Sequence, residues 1–224
     1  MPGQALLSAM MDVDAEAEDA FNRWYNERYL PLLLTLPGFL TGRRYRAIEG
    51  QPRYLAAYDL EDASVLDRPE YVRTRAWDAH AAAEDREAFA RFRNLVRGVY
   101  DHLMTLPDPE PTDLSAAGAL LLVGLEIPAA HDDEFNAWYE TEHLPLLAAV
   151  PGVIRARRYR LHAGAAGLQG DPTRYVALYD LERPEVQASA EWARRRETPW
   201  SARILKRLVT RVRRNLYERI GPAD

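Results

Sequence analysis

The sequence predicts an α+β protein built from two copies of one unit, each running strand, helix, strand, strand, helix, strand. Segments 21–46 and 135–160 are identical at 14 of 26 positions. The same offset of 114 residues (135 − 21) relates two apolar segments that precede them, 5–13 and 119–127. Because two copies are too few for a solenoid, this repeat indicates a duplicated domain.

Each copy begins with one of these apolar segments, 5–13 or 119–127, which is typical of a buried strand. A helix follows, since apolar residues recur at i, i+3 and i+4, as in Phe135, Trp138 and Tyr139. Acidic residues precede this helix in both copies, where they suit the positive end of the helix dipole. We therefore predict one amphipathic helix per copy directly after the first strand.

Proline and glycine divide the rest of each copy. Pro145 disfavours helical backbone at the residue before it, so we expect the regular helix to end or kink near His143. Pro-Gly pairs at 37–38 and 151–152 then predict turns. Two tyrosine-rich strands, a partly charged helix and a closing strand complete each copy. The matching segments are 53–61 with 174–182 and 97–103 with 214–220.

The βαββαβ order is that of a ferredoxin-like sandwich, a four-stranded antiparallel sheet with two helices on one face. Its strands are apolar on both faces, as Tyr175, Ala177 and Tyr179 alternate with Val176 and Leu178. A second sheet would cover the face that the helices leave bare. We expect the two ferredoxin-like repeats to pack their sheets together as one intramolecular barrel, a pseudo-dimer within one chain that could still form homo-oligomers.

The domain boundaries follow from the repeat. We predict a first ferredoxin-like repeat at 1–105, a linker at 106–117 and a second repeat at 118–224. The linker is rich in proline and acidic residues, which favours an extended chain. The second copy also has seven extra residues, which fall in a loop at 163–170 because of its glycine content.

Composition excludes several classes of protein. The net charge of −5 disfavours nucleic-acid binding. No apolar run approaches the about 18 residues that span a membrane, so we expect no membrane partner. The absence of cysteine excludes disulfides and thiolate sites, and we expect a cytoplasmic protein. The five histidines are scattered without the spacing of metal ligands, so no metal is predicted.

The chain resembles the EthD-like group of the dimeric α/β-barrel superfamily, across essentially its whole length. The resemblance is carried by 138–139, 142–145, 151–152, 157–160 and 198–200. It implies an intramolecular dimeric α/β barrel made of two fused copies of a unit that is usually found as a homodimer. Members include polyketide cyclases, cofactor-free monooxygenases and haem enzymes, some of which use a histidine as the axial ligand. No cofactor is predicted, and haem is left open.

His143 is the candidate catalytic residue. Imidazole is suited to proton transfer near neutral pH, and helical spacing places His143 on one stripe with Tyr139 and Phe135. We expect these rings and Trp138 to line a substrate cleft between helix and sheet. The alternative is a structural histidine that bonds a carbonyl or a carboxylate.

Further binding residues are predicted around this helix and its copy. Glu142 is placed to pair with an arginine of the next strand, such as Arg158, although a solvent-exposed carboxylate is the simpler alternative. In the first copy Trp24, Tyr25 and Tyr29 occupy the equivalent positions. We expect that site to be filled by its own side chains, which leaves one competent site, in the second copy.

The Arg-Arg-Tyr-Arg strands should alternate, with Arg157 and Tyr159 facing opposite to Arg158 and Arg160. Covered sheet faces require a partner for each buried guanidinium. Ion pairs between the halves are favoured over an anion-binding clamp. Plausible partners are Asp12, Asp59, Glu126 and Asp180.

The function predicted from these residues is cofactor-independent acid/base chemistry on an aromatic or polyketide-like molecule, by a cyclase, isomerase or monooxygenase-like enzyme. Whether the chain is an enzyme stays open at this point. The alternatives are a non-catalytic ligand-binding protein, a haem-binding module and a scaffold with a vestigial pocket.

Overall fold

The computed structural model describes residues 3–75, 82–111, 113–164 and 167–221. The ends of the predicted repeats, at 1 and 224, and position 112 of the predicted linker lie outside these ranges. The strands of the described residues are β1 (Ala5–Val13), β2 (Phe39–Glu49), β3 (Tyr54–Leu60), β4 (Phe92–Leu106), β5 (Ala119–Glu126), β6 (Val153–Leu161), β7 (Tyr175–Leu181) and β8 (Arg211–Ile220).

These strands form one closed antiparallel barrel in the order β1-β3-β2-β8-β5-β7-β6-β4. Each half contributes four neighbouring strands, β4-β1-β3-β2 and β8-β5-β7-β6. The halves join twice, where β2 pairs with β8 and β4 pairs with β6. Because the sheet closes on itself, no strand edge is left unpaired. The predicted α+β fold and intramolecular barrel are confirmed.

Helices lie outside the barrel, four segments in each half. They are α1 (Glu18–Trp24), α2 (Leu30–Leu34), α3 (Pro69–Val72), α4 (Ala83–Ala90), α5 (Asp132–Trp138), α6 (Leu144–Ala148), α7 (Ala190–Arg196) and α8 (Pro199–Arg207). No helix within the described ranges is long and apolar enough to cross a membrane.

The predicted interruption of the regular helix near His143 is present, although the helix continues beyond it. A π-helical turn, Tyr139–His143, joins α5 to α6, and the N–H of Leu144 bonds to the carbonyl of Tyr139. The wider turn accommodates Pro145, which has no N–H to donate. The same turn occurs in the first half at Tyr25–Tyr29, before Pro31.

Three apolar clusters make up the core. One fills the barrel, with Tyr45, Leu122 and Tyr159 among its members. The other two lie between sheet and helices, one beneath α1 and α2 and one beneath α5 and α6. Because side chains alternate along a strand, each strand supplies both the barrel interior and one outer cluster. This explains why the strands are apolar on both faces.

Candidate functional site

An aromatic pocket of about 150 Å³, partly open to solvent, lies in the first half between the sheet and the α1–α2 helix. We call it the first-half pocket. Its walls come from β1, β3, β4, the helix and one residue of the second half. The lining residues are Leu7, Ala9, Met11, Tyr25, Tyr29, Leu33, Tyr58, Tyr71, Arg75, Phe89, Phe92, Leu95, Arg97 and Gln169.

Four tyrosine side chains, Tyr25, Tyr29, Tyr58 and Tyr71, line this pocket. The Tyr58 hydroxyl donates to the Tyr25 hydroxyl at 3.1 Å. Burial raises the pKa of Tyr25 to about 12, against the hydrogen bond from Tyr58 and the nearby Arg44. Burial likewise raises the pKa of Tyr29 and Tyr58 well above the usual value. All three side chains are therefore neutral donors near pH 7, and none of them is a base.

Arg97 adds a buried cation at the wall, since it is 6% exposed. Its Nη2 donates to the Tyr71 hydroxyl at 3.1 Å and its Nη1 to the Gly167 carbonyl at 2.6 Å. The Arg97 backbone also pairs with Gln169, with N···O distances of 2.9 and 3.2 Å. The loop at 163–170, which holds the seven extra residues of the second half, is thus bonded to the first half beside its pocket.

Two substitutions between the copies explain why this half is open. Ala9 of β1 lines the pocket, whereas its equivalent on β5 is Val123 (9 + 114). Tyr71 packs against Phe39 at a centroid distance of 5.4 Å. Its equivalent Trp192 instead packs over Tyr179, the ring that corresponds to Tyr58, at 5.2 Å. A larger strand residue and a larger ring therefore fill the space in the second half.

The second half has the same helix-to-sheet site in closed form. Beneath Tyr139 and Arg158 there is no volume that a water molecule could occupy. The prediction of a competent cleft in the second half and a filled site in the first half is therefore wrong, and the arrangement is reversed. Tyr25 and Tyr29 line the pocket, whereas Phe135, Trp138 and Tyr139 are packed in the core of their half.

His143 is buried in this closed site, with 7% of its surface exposed. Its ring stacks on Trp138 at a centroid distance of 4.2 Å and meets Tyr139 edge-on at 5.1 Å. Burial, together with the charge of Arg196, lowers the pKa of His143 to about 3. Its Nδ1 is buried and accepts or donates no hydrogen bond within the described structure. A neutral imidazole with so low a pKa is a weak base, and the catalytic role of His143 stays a prediction.

Sequence reasoning missed the partner of His143 because it assumed a regular helix. At 3.6 residues per turn, His143 should lie over Tyr139. The π-helical turn instead brings residues five apart together, which places His143 on Trp138. The same geometry stacks Tyr29 on Trp24 at 4.9 Å in the first half. Proline in both copies of the helix was the available signal for this distortion.

The predicted pairing of Glu142 with Arg158 is wrong. The Thr198 hydroxyl donates to Glu142 at 2.5 Å, and Thr198 also caps the N-terminus of α8. Arg158 donates to Glu140 at 3.1 Å and to Asn136. Glu140, two residues before Glu142, lies one helical turn after Asn136, so both side chains face Arg158.

Arg158 and its equivalent Arg44 lie beneath the aromatic rings of the two helices. The Arg158 guanidinium lies 4.6 Å from the Tyr139 ring centre, and that of Arg44 lies 4.3 Å from the Tyr25 ring centre. Such cation–π contacts compensate part of the cost of burying the charge. The predicted alternation is confirmed, since Arg158 faces the helices and Tyr159 faces the barrel interior.

Trp24 does not face the first-half pocket. Its Nε1 donates to Asp85 at 2.9 Å, and Arg28 donates to the same carboxylate at 2.7 Å. Asp85 is 2% exposed, so both donors are needed to compensate its buried charge. Trp24 therefore holds α4 against α1 and supports the pocket from behind.

The predicted ion pairs between the halves are confirmed. Arg157 of β6 bonds to Asp59 of β3 at 2.9 Å and to Asp180 of β7 at 3.4 Å. Burial opposes the charge of Asp59, but the nearby Arg157 and the hydrogen bond from Thr41 hold its pKa below the usual value. The other two proposed partners, Asp12 and Glu126, serve other contacts.

At the two helix-to-sheet sites, the described residues offer neither a metal-ligand set nor an accessible axial ligand for haem. Among the described residues, no three histidine or carboxylate side chains lie together as a metal-ligand set. Haem would need an accessible ring nitrogen on its axial ligand, but His143 is 7% exposed and its Nδ1 is buried. The first-half pocket has the volume of a single aromatic ring, and no histidine is among its lining residues.

No family model and no curated protein matches the chain. Solved structures match it in fold. An anthrone oxidase-like protein superposes with a TM-score of 0.65 at 12% identity, over 97% of this chain and 91% of that one. A putative monooxygenase from Lactobacillus acidophilus NCFM gives 0.62 at 10% identity, over 96% and 93%. A mutant chlorite dismutase from Candidatus Nitrospira defluvii, in complex with cyanide, gives 0.54 at 11% identity, over 96% and 91%.

These similarities establish the architecture, because identities of 10 to 12% carry the fold alone. The chain has the dimeric α/β-barrel fold, with both sheets supplied by one polypeptide. Its structural neighbours include oxidase-like, monooxygenase-like and chlorite dismutase proteins. This range of activities on one fold means that the function has to be argued from the site itself.

Proposed function

We propose that the chain is a small-molecule enzyme of the dimeric α/β-barrel type, which binds a single-ring aromatic compound in the first-half pocket. The volume of this pocket carries the proposal. A cavity of about 150 Å³ is known to accept benzene, whereas drug-sized ligands need about 300–1,000 Å³. The pocket measures about 150 Å³ and is walled by aromatic and aliphatic side chains. One ring fits it, and a fused polyketide does not.

The polar groups of the pocket favour a ligand oxygen that carries negative charge. Tyr25 accepts from Tyr58, so its own proton is directed elsewhere and is available to a ligand. Tyr71 accepts from the cationic Arg97, which makes its hydroxyl a stronger donor. Donors of this kind, fixed in a water-poor site, stabilise an enolate or phenolate. This supports cofactor-independent chemistry in which Tyr25 keeps its proton and stabilises the anion as a hydrogen-bond donor.

The finer assignments from the sequence are part of the proposal. We propose an EthD-like protein that arose by tandem duplication, with repeats at 1–105 and 118–224 joined by the linker at 106–117. Tyr25 and Tyr29 keep their predicted binding roles. An acid/base role for His143 would require a rearrangement that exposes one of its ring nitrogens to a ligand.

Binding without turnover is the second candidate function. It is favoured by one observation: none of the described lining residues is a carboxylate or an imidazole, so the pocket supplies no base. Mass spectrometry of a bound ring compound after prolonged incubation distinguishes the two candidates. Recovery of a chemically changed compound supports the enzyme. Recovery of every tested compound unchanged supports the binding protein.

The binding step is tested with 4-nitrophenol, whose phenolate absorbs in the visible range. We expect the bound compound to ionise at a lower pH than the free one. Tyr25→Phe should weaken phenolate binding roughly 10- to 100-fold, the effect of losing one hydrogen bond to a charged group. The matched control is Tyr139→Phe, at the equivalent position of the closed site, which should leave binding unchanged. Equal binding by both variants, or no binding by the wild type, would refute the proposal.

A further inference from the structure

A second and larger cavity, of about 340 Å³, lies at one end of the barrel. We call it the barrel-end cavity. It shares no lining residue with the first-half pocket, and its walls come from both halves and from the segment that joins them. The lining residues are Gly3, Leu40, Thr41, Arg43, Asp59, His102, Thr105, Glu110, Pro111, Leu114, Arg155, Arg157 and Tyr159.

Three guanidinium groups and two carboxylates line this cavity. Asp180 lies behind the wall and bonds to Arg155 at 2.7 Å and to Arg157 at 3.4 Å. Asp59 is at the wall, 2.9 Å from Arg157 and 3.7 Å from Arg43. The pairs are held in place because the side chains of Arg155 and Arg157 are only 5% and 6% exposed.

The third cation is a departure from the repeat. Arg157 is equivalent to Arg43, and Asp180 to Asp59, so these four side chains form two matched pairs (43 + 114 and 59 + 121). Arg155 corresponds to Thr41 (41 + 114), which is neutral and donates to Asp59 at 2.7 Å. The second half thus adds one guanidinium that the first half lacks.

Because Asp180 contacts two of the three arginines, the cluster of three guanidinium groups and three carboxylates is neutral while Glu110 is in place. His102 adds none near pH 7, because burial lowers its pKa. Its Nε2 lies 2.7 Å from the Thr105 hydroxyl, and its ring meets Tyr159 edge-on at 5.5 Å. Without Glu110 the cluster carries one net positive charge, which a monoanion would balance.

Glu110 shows where such an anion would bind. It comes from the joining segment, not from a strand, and its carboxylate accepts a hydrogen bond from Nη1 of Arg155. Its side chain is 20% exposed, so it reaches Arg155 from the open side of the cavity. Leu40, Pro111 and Leu114 give the same region an apolar wall.

We propose that the barrel-end cavity is a second binding site, selective for short-chain monocarboxylates, in which Glu110 occupies the position of the ligand carboxylate on Arg155. The ligand carboxylate displaces Glu110, and its aliphatic chain lies along the apolar wall. The proposal is independent of the function proposed for the first-half pocket, because the two cavities share no residue.

Calorimetric titration with butanoate tests this, with butanamide as the neutral isostere. We expect saturable binding of butanoate and at least tenfold weaker binding of butanamide. Glu110→Gln removes the competing charge and should tighten butanoate binding about tenfold. Asp108→Asn makes the same charge change at an exposed position of the same segment and should leave the affinity unchanged.

Loss of a cation should act in the opposite direction. Arg43→Gln is preferred to a change at Arg155, because Arg43 is less deeply buried and its replacement leaves the buried pairs intact. It should weaken butanoate binding about tenfold without changing the binding of 4-nitrophenol. No saturable butanoate binding by Glu110→Gln, or equal affinities for butanoate and butanamide, would overturn the proposal and leave the cluster a structural ion network.

Discussion

Ala9→Val is the most direct test that the first-half pocket is open. It gives β1 the residue that fills the equivalent position of β5, where Val123 packs against the core of the second half. If the pocket is empty, the added methyl groups enter free volume and bury apolar surface. If the pocket is closed, the same groups overpack the site.

The magnitude follows from the volume. Unfilled space costs about 24 cal/mol per Å³, so a cavity of 150 Å³ leaves about 3.6 kcal/mol of packing energy unrealised. Two added carbon groups at about 0.8 kcal/mol each should recover about 1.5 kcal/mol. For a chain of this size that corresponds to about 3–6 °C in Tm. Valine also suits a strand better than alanine, which acts in the same direction.

The assay is urea unfolding of Ala9→Val beside the reverse change, Val123→Ala. We expect Ala9→Val to raise the free energy of unfolding and to weaken 4-nitrophenol binding at least tenfold, since the ring loses its space. Val123→Ala should lower the free energy of unfolding by about 2 kcal/mol. Destabilisation of Ala9→Val by about 1–3 kcal/mol would be the signature of overpacking and would refute an open pocket.

Three further changes probe other parts of the molecule. The pKa of His143 is about 3 in the folded state against 6.5 in the unfolded state, so protonation favours unfolding below pH 6.5. The free energy of unfolding of the wild type should therefore be about 2 kcal/mol lower at pH 5 than at pH 7. His143→Gln should lack this loss when it is measured by urea unfolding. Asp59→Asn leaves Arg157 with only the more distant Asp180 and should lower the free energy of unfolding by about 3 kcal/mol. Gln169→Ala should weaken 4-nitrophenol binding about fivefold, or about 1 kcal/mol, with an unchanged Tm.

Much of the fold could be predicted because the pattern of each strand and helix occurs twice in the sequence. A pattern seen at Arg157 and Tyr159 recurs at Arg43 and Tyr45, and both follow the alternation that a barrel strand imposes. Ion pairs across the halves followed from the requirement that a buried guanidinium has a partner. These are constraints of periodicity and charge, which sequence carries directly.

The open pocket could not be predicted in the same way. Its location depends on small differences in side-chain volume, such as Ala9 against Val123 and Tyr71 against Trp192. Such a difference shows whether a site is open only when the residues packed against it are known. The predicted site followed the one conspicuous chemical difference, His143 in place of Tyr29. That difference does not mark the open site, because His143 lies in the closed half, where it is stacked on Trp138 just as Tyr29 is stacked on Trp24.

Each half contacts a connecting segment of the other half, and the two segments differ in length. In the second half, the hydroxyl of Tyr217 and the amide of Asn215 lie 3.4 Å from the carbonyl of Pro52, in the short β2–β3 turn. In the first half, the longer loop between β6 and β7 places Gln169 at the wall of the pocket. Each half therefore bonds to a connecting segment of the other, and only the longer β6–β7 connection contributes a residue to a pocket. Gln169 lies in this loop and lines the first-half pocket. The second half therefore contributes to the proposed binding site, even though its own site is closed.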